Sequence, residues 1–264
     1  MDLKVTIFHS LNGLFPKKKL DCRRSERDYS IWEYTSGPDN YGIYRDYITL
    51  ENNIVLDLGC GLGGKTVYYA QQGVDFIVGL DIDELHIKAA RQLSLEKNAQ
   101  NISLVIGDAQ HLPFKGDVFN IVLMNNVFEH ITNPKSKKAL NEVKTILKER
   151  GRACIDFSPW SAKRAAHTAE YFRIPWCHLL FSDRTLLKAL GEMNPKARFG
   201  KLSYEEHFRE LNKMAIDDFR EMIEELNLRV IHFAVKSVEK KDFLIKLPFV
   251  GKYFVDIIVC VLEK

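Results

Sequence analysis

IVLDLGCGLGG, Ile54 to Gly64, is a short apolar run followed by four glycines in six positions. An apolar run of this length reads as a buried strand, and the glycines mark a sharp turn. KTVYYAQQ and Gly73 follow, a helix and its glycine stop. Strand, glycine turn and helix in that order are what a backbone needs when a ligand must approach it closely.

Outward from this stretch the pattern repeats. DFIVGLD (Asp75 to Asp81) is a second strand, and Asp83 is placed to cap a helix through ELHIKAARQLSLEKN. ISLVIGD (Ile102 to Asp108) and FNIVLMNN (Phe119 to Asn126) are the third and fourth strands. Pro134 opens a helix, KSKKALNEVKTILKER, closed by Gly151, and RACIDF (Arg152 to Phe157) is the fifth strand. IDDFREMIEELN reads as a helix, LRVIHFAVKSV as a sixth strand and VDIIVCVLEK as a seventh. The link EKKDFLIKLPFVGKYF has no helical period and suits an antiparallel return. Near-continuous apolar strands alternating with helices imply a sheet covered on both faces. The expected fold is α/β and doubly wound. Its seven-stranded sheet is mainly parallel with an antiparallel last strand, with an N-terminal helical cap and an insertion after strand 5.

The cap is residues 1–51, with Tyr29, Trp32, Tyr34, Tyr41, Tyr44 and Tyr47, and is too short for an independent domain. Residues 52–264 form the main domain. Its insertion, about 158–215, holds Trp160, His167, Tyr171, Phe172, Trp176, His178 and Phe181. An insertion of that length is commonly a lid or pocket wall.

Composition narrows the function. The formal net charge of +3 over 264 residues argues against a dedicated nucleic-acid binder. The five cysteines, Cys22, Cys60, Cys154, Cys177 and Cys260, are odd in number and share no CxxC spacing. That predicts neither a disulfide framework nor a zinc site, and no metal is expected; a reducing cytoplasm is the simpler setting. No signal peptide or bilayer-length apolar run is evident. The basic runs FPKKKLDCRR and KSKK read as solvated faces, leaving at most peripheral contact with an anionic membrane.

Gly59, Gly61 and Gly64 satisfy GxGxxG, so a nicotinamide cofactor must be weighed. Asp57 argues against it, because a carboxylate in the cleft repels a pyrophosphate and suits a cationic ligand. VLDLGCGLGG with VGLDID, GDAQHLPF and FNIVLMNNVFEHI, in this order, resembles the class I S-adenosylmethionine-dependent methyltransferases, in the branch with small-molecule and lipid-like acceptors. The resemblance covers about Asn53 to Phe157.

It implies S-adenosylmethionine as cofactor. Asp57, Gly59, Gly61 and Gly63 would surround the methionine portion, and Asp81, with Ile82 beside it, would take both ribose hydroxyls. Asp108 and Ala109 would meet the adenine, and the backbone carbonyl of Asn125 the methionine ammonium. His130, His167 and His178 are the candidates for a general base, with Glu129 beside His130. The aromatics Tyr29, Trp32, Tyr171, Trp176 and Phe181 either close over the site or pack cap against insertion. The expected activity is methyl transfer to a small or lipid-like acceptor, at oxygen. A non-catalytic S-adenosylmethionine-binding regulator, an NAD-dependent oxidoreductase and an RNA methyltransferase are the alternatives. Asn125-Asn126-Val127-Phe128 lacks the Asn-Pro-Pro-aromatic pattern of base and glutamine amino methylation.

Overall fold

The structure is a computed structural model. It describes residues 2–16, 25–132, 135–163, 165, 167, 172–193, 204–237 and 242–264. Tyr171, Cys22, Pro134 and most of the first basic run lie outside the described residues.

Seven strands form one sheet. They are β1 (Ile54–Leu58), β2 (Phe76–Asp81), β3 (Ile102–Ile106), β4 (Phe119–Asn125), β5 (Leu147–Phe157), β6 (Arg229–Lys236) and β7 (Ile257–Glu263). Their order is β3-β2-β1-β4-β5-β7-β6. β1 to β5 pair in parallel, and β7 runs antiparallel between β5 and β6. Strand order therefore reverses between β1 and β4, where open α/β sheets bind their ligands at the carboxyl ends.

Three helices precede the sheet: α1 (Leu3–Leu14), α2 (Glu26–Thr35) and α3 (Gly37–Gly42). Between strands lie α4 (Gly64–Ala70), α5 (Glu84–Glu96) and α6 (Lys135–Ile146). The insertion holds α7 (Cys177–Leu180), α8 (Asp183–Met193) and α9 (Tyr204–Glu210). After α10 (Ile216–Glu225), the link from β6 to β7 contains α11 (Asp242–Ile245) and one 3₁₀ turn, Gly251–Phe254.

The period of two along each strand sends alternate side chains to opposite faces. Leu56, Leu58, Val122 and Met124 meet α6 and α10 through Leu140, Val143, Phe219 and Ile223. Val55, Ile77, Ile121 and Leu123 meet Tyr69 of α4 and Tyr44, Ile48 and Leu50 from the chain entering β1. A third cluster is separate from the sheet. Val5 and Phe8 of α1 pack with Phe172, Ile174, Leu186, Leu190 and Phe208 of the insertion. The N-terminal segment thus divides: α1 joins the insertion, while α2 and α3 lie on α4, where Gly37 faces Tyr68.

Two boundaries differ most from the sequence reading, and the link EKKDFLIKLPFVGKYF, read as without helical period, holds the short α11 and a 3₁₀ turn. LKER continues no helix: Leu147 is buried and pairs with Phe119, and the strand bulges past Arg150, which has φ of 60°. Good helix formers there yield to burial of Leu147 in the sheet. β4 stops at Asn125 because Asn126 turns left-handed, with φ of 54°. Among the described residues no helix is long and apolar enough to cross a membrane.

Candidate functional site

The glycine turn lies at the carboxyl end of β1, and its four glycines have different reasons. Gly59 has φ of 73°, and a Cβ there would lie 1.8 Å from Val127 Cγ2. A Cβ on Gly63 would meet Ala90 of α5, and one on Gly64 would meet the Ser30 carbonyl and Glu33 of α2. Protein fills the space beside these three. Gly61 differs. Its φ of 53° requires glycine, yet nothing lies within 4 Å of its missing side chain. The turn is open to a ligand at Gly61.

Asp81 organises the turn. Its carboxylate accepts hydrogen bonds from the Gly61 N–H at 2.9 Å, the Asp83 N–H at 2.9 Å and His86 Nδ1 at 3.2 Å. Burial pushes this carboxyl up, but the bonds from His86, Asp83 and Gly61 outweigh it and hold the pKa below its ordinary value. The Gly59 and Cys60 N–H groups both donate to the Leu80 carbonyl. β1 and β2 are thereby locked together at the cleft.

Acids surround the turn. Asp57 is 3% exposed and accepts a 2.6 Å hydrogen bond from the Thr66 hydroxyl. Burial pushes its carboxyl up to about 6, against that bond and Lys65. Glu33 reaches in from α2; burial pushes it to about 7, against the attraction of Lys65 and with Asp57 adding to the rise. Its Oε2 is buried with no hydrogen-bond partner among the described residues. Asp156 of β5, in register with Asn125, accepts from the Tyr44 hydroxyl at 2.7 Å and from the Asn125 side chain. Asn125 also accepts from the Tyr69 hydroxyl at 3.2 Å. This buried chain of Tyr44, Asp156, Asn125 and Tyr69 fixes the end of β4.

Asp108 sits just beyond β3 and accepts from the Gln110 N–H at 2.9 Å and from the Gln110 side chain. Ala109 follows it and packs against the main core. Ile82, next to Asp81, is 70% exposed, and Ile106, in register with Asp81, is about half exposed. Two bare apolar side chains therefore flank the carboxyl ends of β2 and β3.

The pattern is an open glycine turn at a switch point, ringed by buried carboxylates. A model described as a methyltransferase domain matches residues 55–151. The chain carries a class I S-adenosylmethionine-dependent methyltransferase domain. Its cofactor is S-adenosylmethionine. A demethylmenaquinone methyltransferase of Lactiplantibacillus plantarum is 33% identical over 111 residues, 40% of this chain and 46% of that protein. A probable phthiotriol/phenolphthiotriol dimycocerosates methyltransferase 2 of Mycobacterium ulcerans is 31% identical over 147 residues, 51% and 55% of the two chains. The chain spans about half the length of these curated relatives. A solved structure, a putative S-adenosylmethionine-dependent methyltransferase from Listeria monocytogenes, shares the fold. Its TM-score is 0.58 at 15% identity, with 87% of this chain and 99% of that one covered.

The methyltransferase domain fits this cofactor on its own geometry. Buried carboxylates with raised pKa values at Asp57 and Glu33 are relieved by a ligand bearing positive charge and worsened by a pyrophosphate. Glu33 and Thr66 escaped the sequence reading. Glu33 lies on a helix remote in sequence, and only the tertiary contact at Gly64 reveals it.

The three candidate histidines part company. His130 ends the 3₁₀ turn Phe128–His130 just after β4. His167, from the insertion, comes to it with ring centres 5.0 Å apart, beside Glu129. His178 is placed elsewhere. Its Nε2 donates to the Trp160 carbonyl at 2.8 Å, its ring lies edge-on to Trp160, and burial lowers its pKa. That is a neutral packing histidine in the wall of the insertion. The aromatics also divide. Phe181 packs on Phe8, Trp176 donates to the Tyr253 carbonyl, and Tyr29 and Trp32 lie against each other at a tilt along α2. An open groove lined by Arg150, Arg152, Arg229 and Glu263 lies toward the opposite end of β5 and is crossed by the Arg152–Glu263 and Arg229–Glu263 ion pairs.

Proposed function

We propose that this protein transfers a methyl group from S-adenosylmethionine to a small or lipid-like acceptor, at oxygen. The observation that carries the reading is the pair of buried carboxylates, Asp57 and Glu33, beside the open Gly61 turn. When bound, the cofactor supplies a methyl group activated on a sulfonium, so the protein's task is to hold, align and desolvate.

Asp57 and Glu33 favour the cationic portion of the cofactor, and Asn125 offers its backbone carbonyl toward the ammonium. Asp81 holds the ribose. A carboxylate has about four lone-pair directions, and Gly61, Asp83 and His86 take three. One ribose hydroxyl therefore fits directly, and a second fits when His86 swings aside. Ile82 and Ile106 give an apolar surface for the adenine, and Asp108 meets its amino group by exchanging the Gln110 side chain. Gly59 and Gly63 act one step back: they let Val127 and α5 close on the turn that presents Gly61.

The acceptor side is formed by His130, Glu129 and the insertion. Relatives named for menaquinone and dimycocerosate methylation support a small or lipid-like acceptor. The test is incubation with S-adenosylmethionine and a panel of phenols, hydroxylated lipids and amines, read by mass spectrometry for a gain of one methylene. A methylated phenol or hydroxylipid is the expected result. Product only on amines would overturn oxygen as the target.

A further inference from the structure

Glu129, His130 and His167 form a cluster to which the cofactor reading assigns no role. One ligand atom from each lies within 4.8 Å of the others. Glu129 and His130 share one tight turn at the carboxyl end of β4, and His167 comes from the insertion in a left-handed backbone, φ 51°. Glu129 is 4% exposed, and its Oε2 is buried without a hydrogen-bond partner among the described residues. The turn is clamped from behind. The Asn212 N–H donates to the Glu129 carbonyl at 2.9 Å, and the Asn212 side chain donates to the Phe128 carbonyl at 2.6 Å.

A buried carboxylate with one oxygen lacking a donor is costly; a neutral imidazole offers it at most one N–H, and two charged imidazoles in contact repel each other. A divalent cation resolves all three. Tetrahedral bonds of about 2.1 Å hold ligand atoms roughly 3.4 Å apart, so side-chain rotation of about an ångström closes the set. Two imidazoles and one carboxylate select a transition metal such as Zn²⁺ over Mg²⁺ or Ca²⁺. Three protein ligands leave a position open, as in catalytic zinc sites.

We propose that Glu129, His130 and His167 bind one divalent transition-metal cation whose open coordination position faces the acceptor. The cation would orient an acceptor hydroxyl and favour its loss of a proton to water. This role at the acceptor rests on the methyl-transfer reading; the cation site does not. The spacing of the sequence could not show it, because His167 lies on the insertion and the other two on the β4 turn.

The full-length protein, stripped with chelator, is titrated with Zn²⁺ by calorimetry and with Co²⁺ by visible absorption. One equivalent should bind with micromolar or better affinity, with Co²⁺ bands of nitrogen and oxygen ligation. The buried thiols of Cys60, Cys154 and Cys260, whose pKa values burial raises, should contribute no sulfur charge-transfer band. His167→Ala and Glu129→Gln should each weaken binding by more than about 100-fold, since even partners outside the ligand shell commonly cost 10–100-fold. Circular dichroism and S-adenosylhomocysteine affinity report that each variant is folded. No stoichiometric binding by the wild type, thiolate bands, or affinity unchanged in folded His167→Ala would overturn the site. Metal binding retained while S-adenosylhomocysteine fails to bind would instead sink the cofactor reading and leave the cation site standing.

Discussion

The glycine turn and the insertion both follow the carboxyl ends of parallel strands, β1 and β5, but are built differently. The turn is contiguous in sequence: Asp57 to Gly64 carry most of it, and Asp81 locks it with one hydrogen bond to Gly61. The insertion acquires its order from afar, because its core includes Val5 and Phe8 of α1 and its His167 meets a turn after β4. The turn can therefore be read from a motif, whereas the packing of the insertion is assembled from segments more than a hundred residues apart.

The largest expected effect separates the two regions. Phe8→Ala removes a fully buried ring that lies edge-on to Phe172 and Phe181. It should cost about 3–5 kcal/mol. Hydrogen exchange should rise in α1, α7 and α8, with cofactor affinity nearly unchanged. Loss of protection in β1 and β2 as well would show that the regions are one cooperative unit.

Next comes a contrast within the turn. Gly59→Ala drives a methyl into Val127 in a left-handed backbone and should cost about 3 kcal/mol by chemical denaturation. Gly61→Ala meets no atom within 4 Å and should cost only about 1–2 kcal/mol of backbone strain. Its binding defect should be the larger, at least about tenfold, because its side chain enters the ligand's space. Equal binding defects would mean that Gly61 does not face the cofactor.

A smaller effect lies in pH. Burial raises Glu33 to about 7 and Asp57 to about 6. The folded protein thus holds protons that the unfolded chain releases near pH 4. Stability from these groups is full below that pH and is lost as pH rises through about 6–7. Between pH 5 and 8 the free protein should lose on the order of 2 kcal/mol. Glu33→Gln should flatten part of this fall, since burial raises Glu129 to about 8 in the same window, and S-adenosylmethionine should raise Tm more at pH 8 than at pH 5. A profile unchanged in Glu33→Gln would place the titration elsewhere.

Much of the sheet was legible because buried parallel strands are continuous apolar runs. The cap on α5 was legible too, since Asp83 accepts from the Leu85 N–H as its position implied. LKER was misread because its helix propensity says nothing of Leu147 pairing with Phe119. At the site, Asp57 and Asp81 lie near the carboxyl ends of strands and Asp108 just beyond one, and so they announce themselves. Glu33 does not, because it reaches Asp57 only through the packing of α2 on α4. The excess of glycine pointed to a ligand, yet three of the four make room for protein. His178 looked equivalent to His167 in sequence, and only its bond to the Trp160 carbonyl sets it apart.

The central claim is that S-adenosylmethionine binds at the Gly61 turn with its ribose on Asp81. Calorimetric titration of S-adenosylhomocysteine into the wild type and Asp81→Ala tests it most directly. Micromolar binding by the wild type, weakened 10–100-fold or more in a folded variant, is the expected result for a lost charge-assisted hydrogen bond of about 1.5–3 kcal/mol. Wild-type affinity in the variant, or no binding by either, would contradict it.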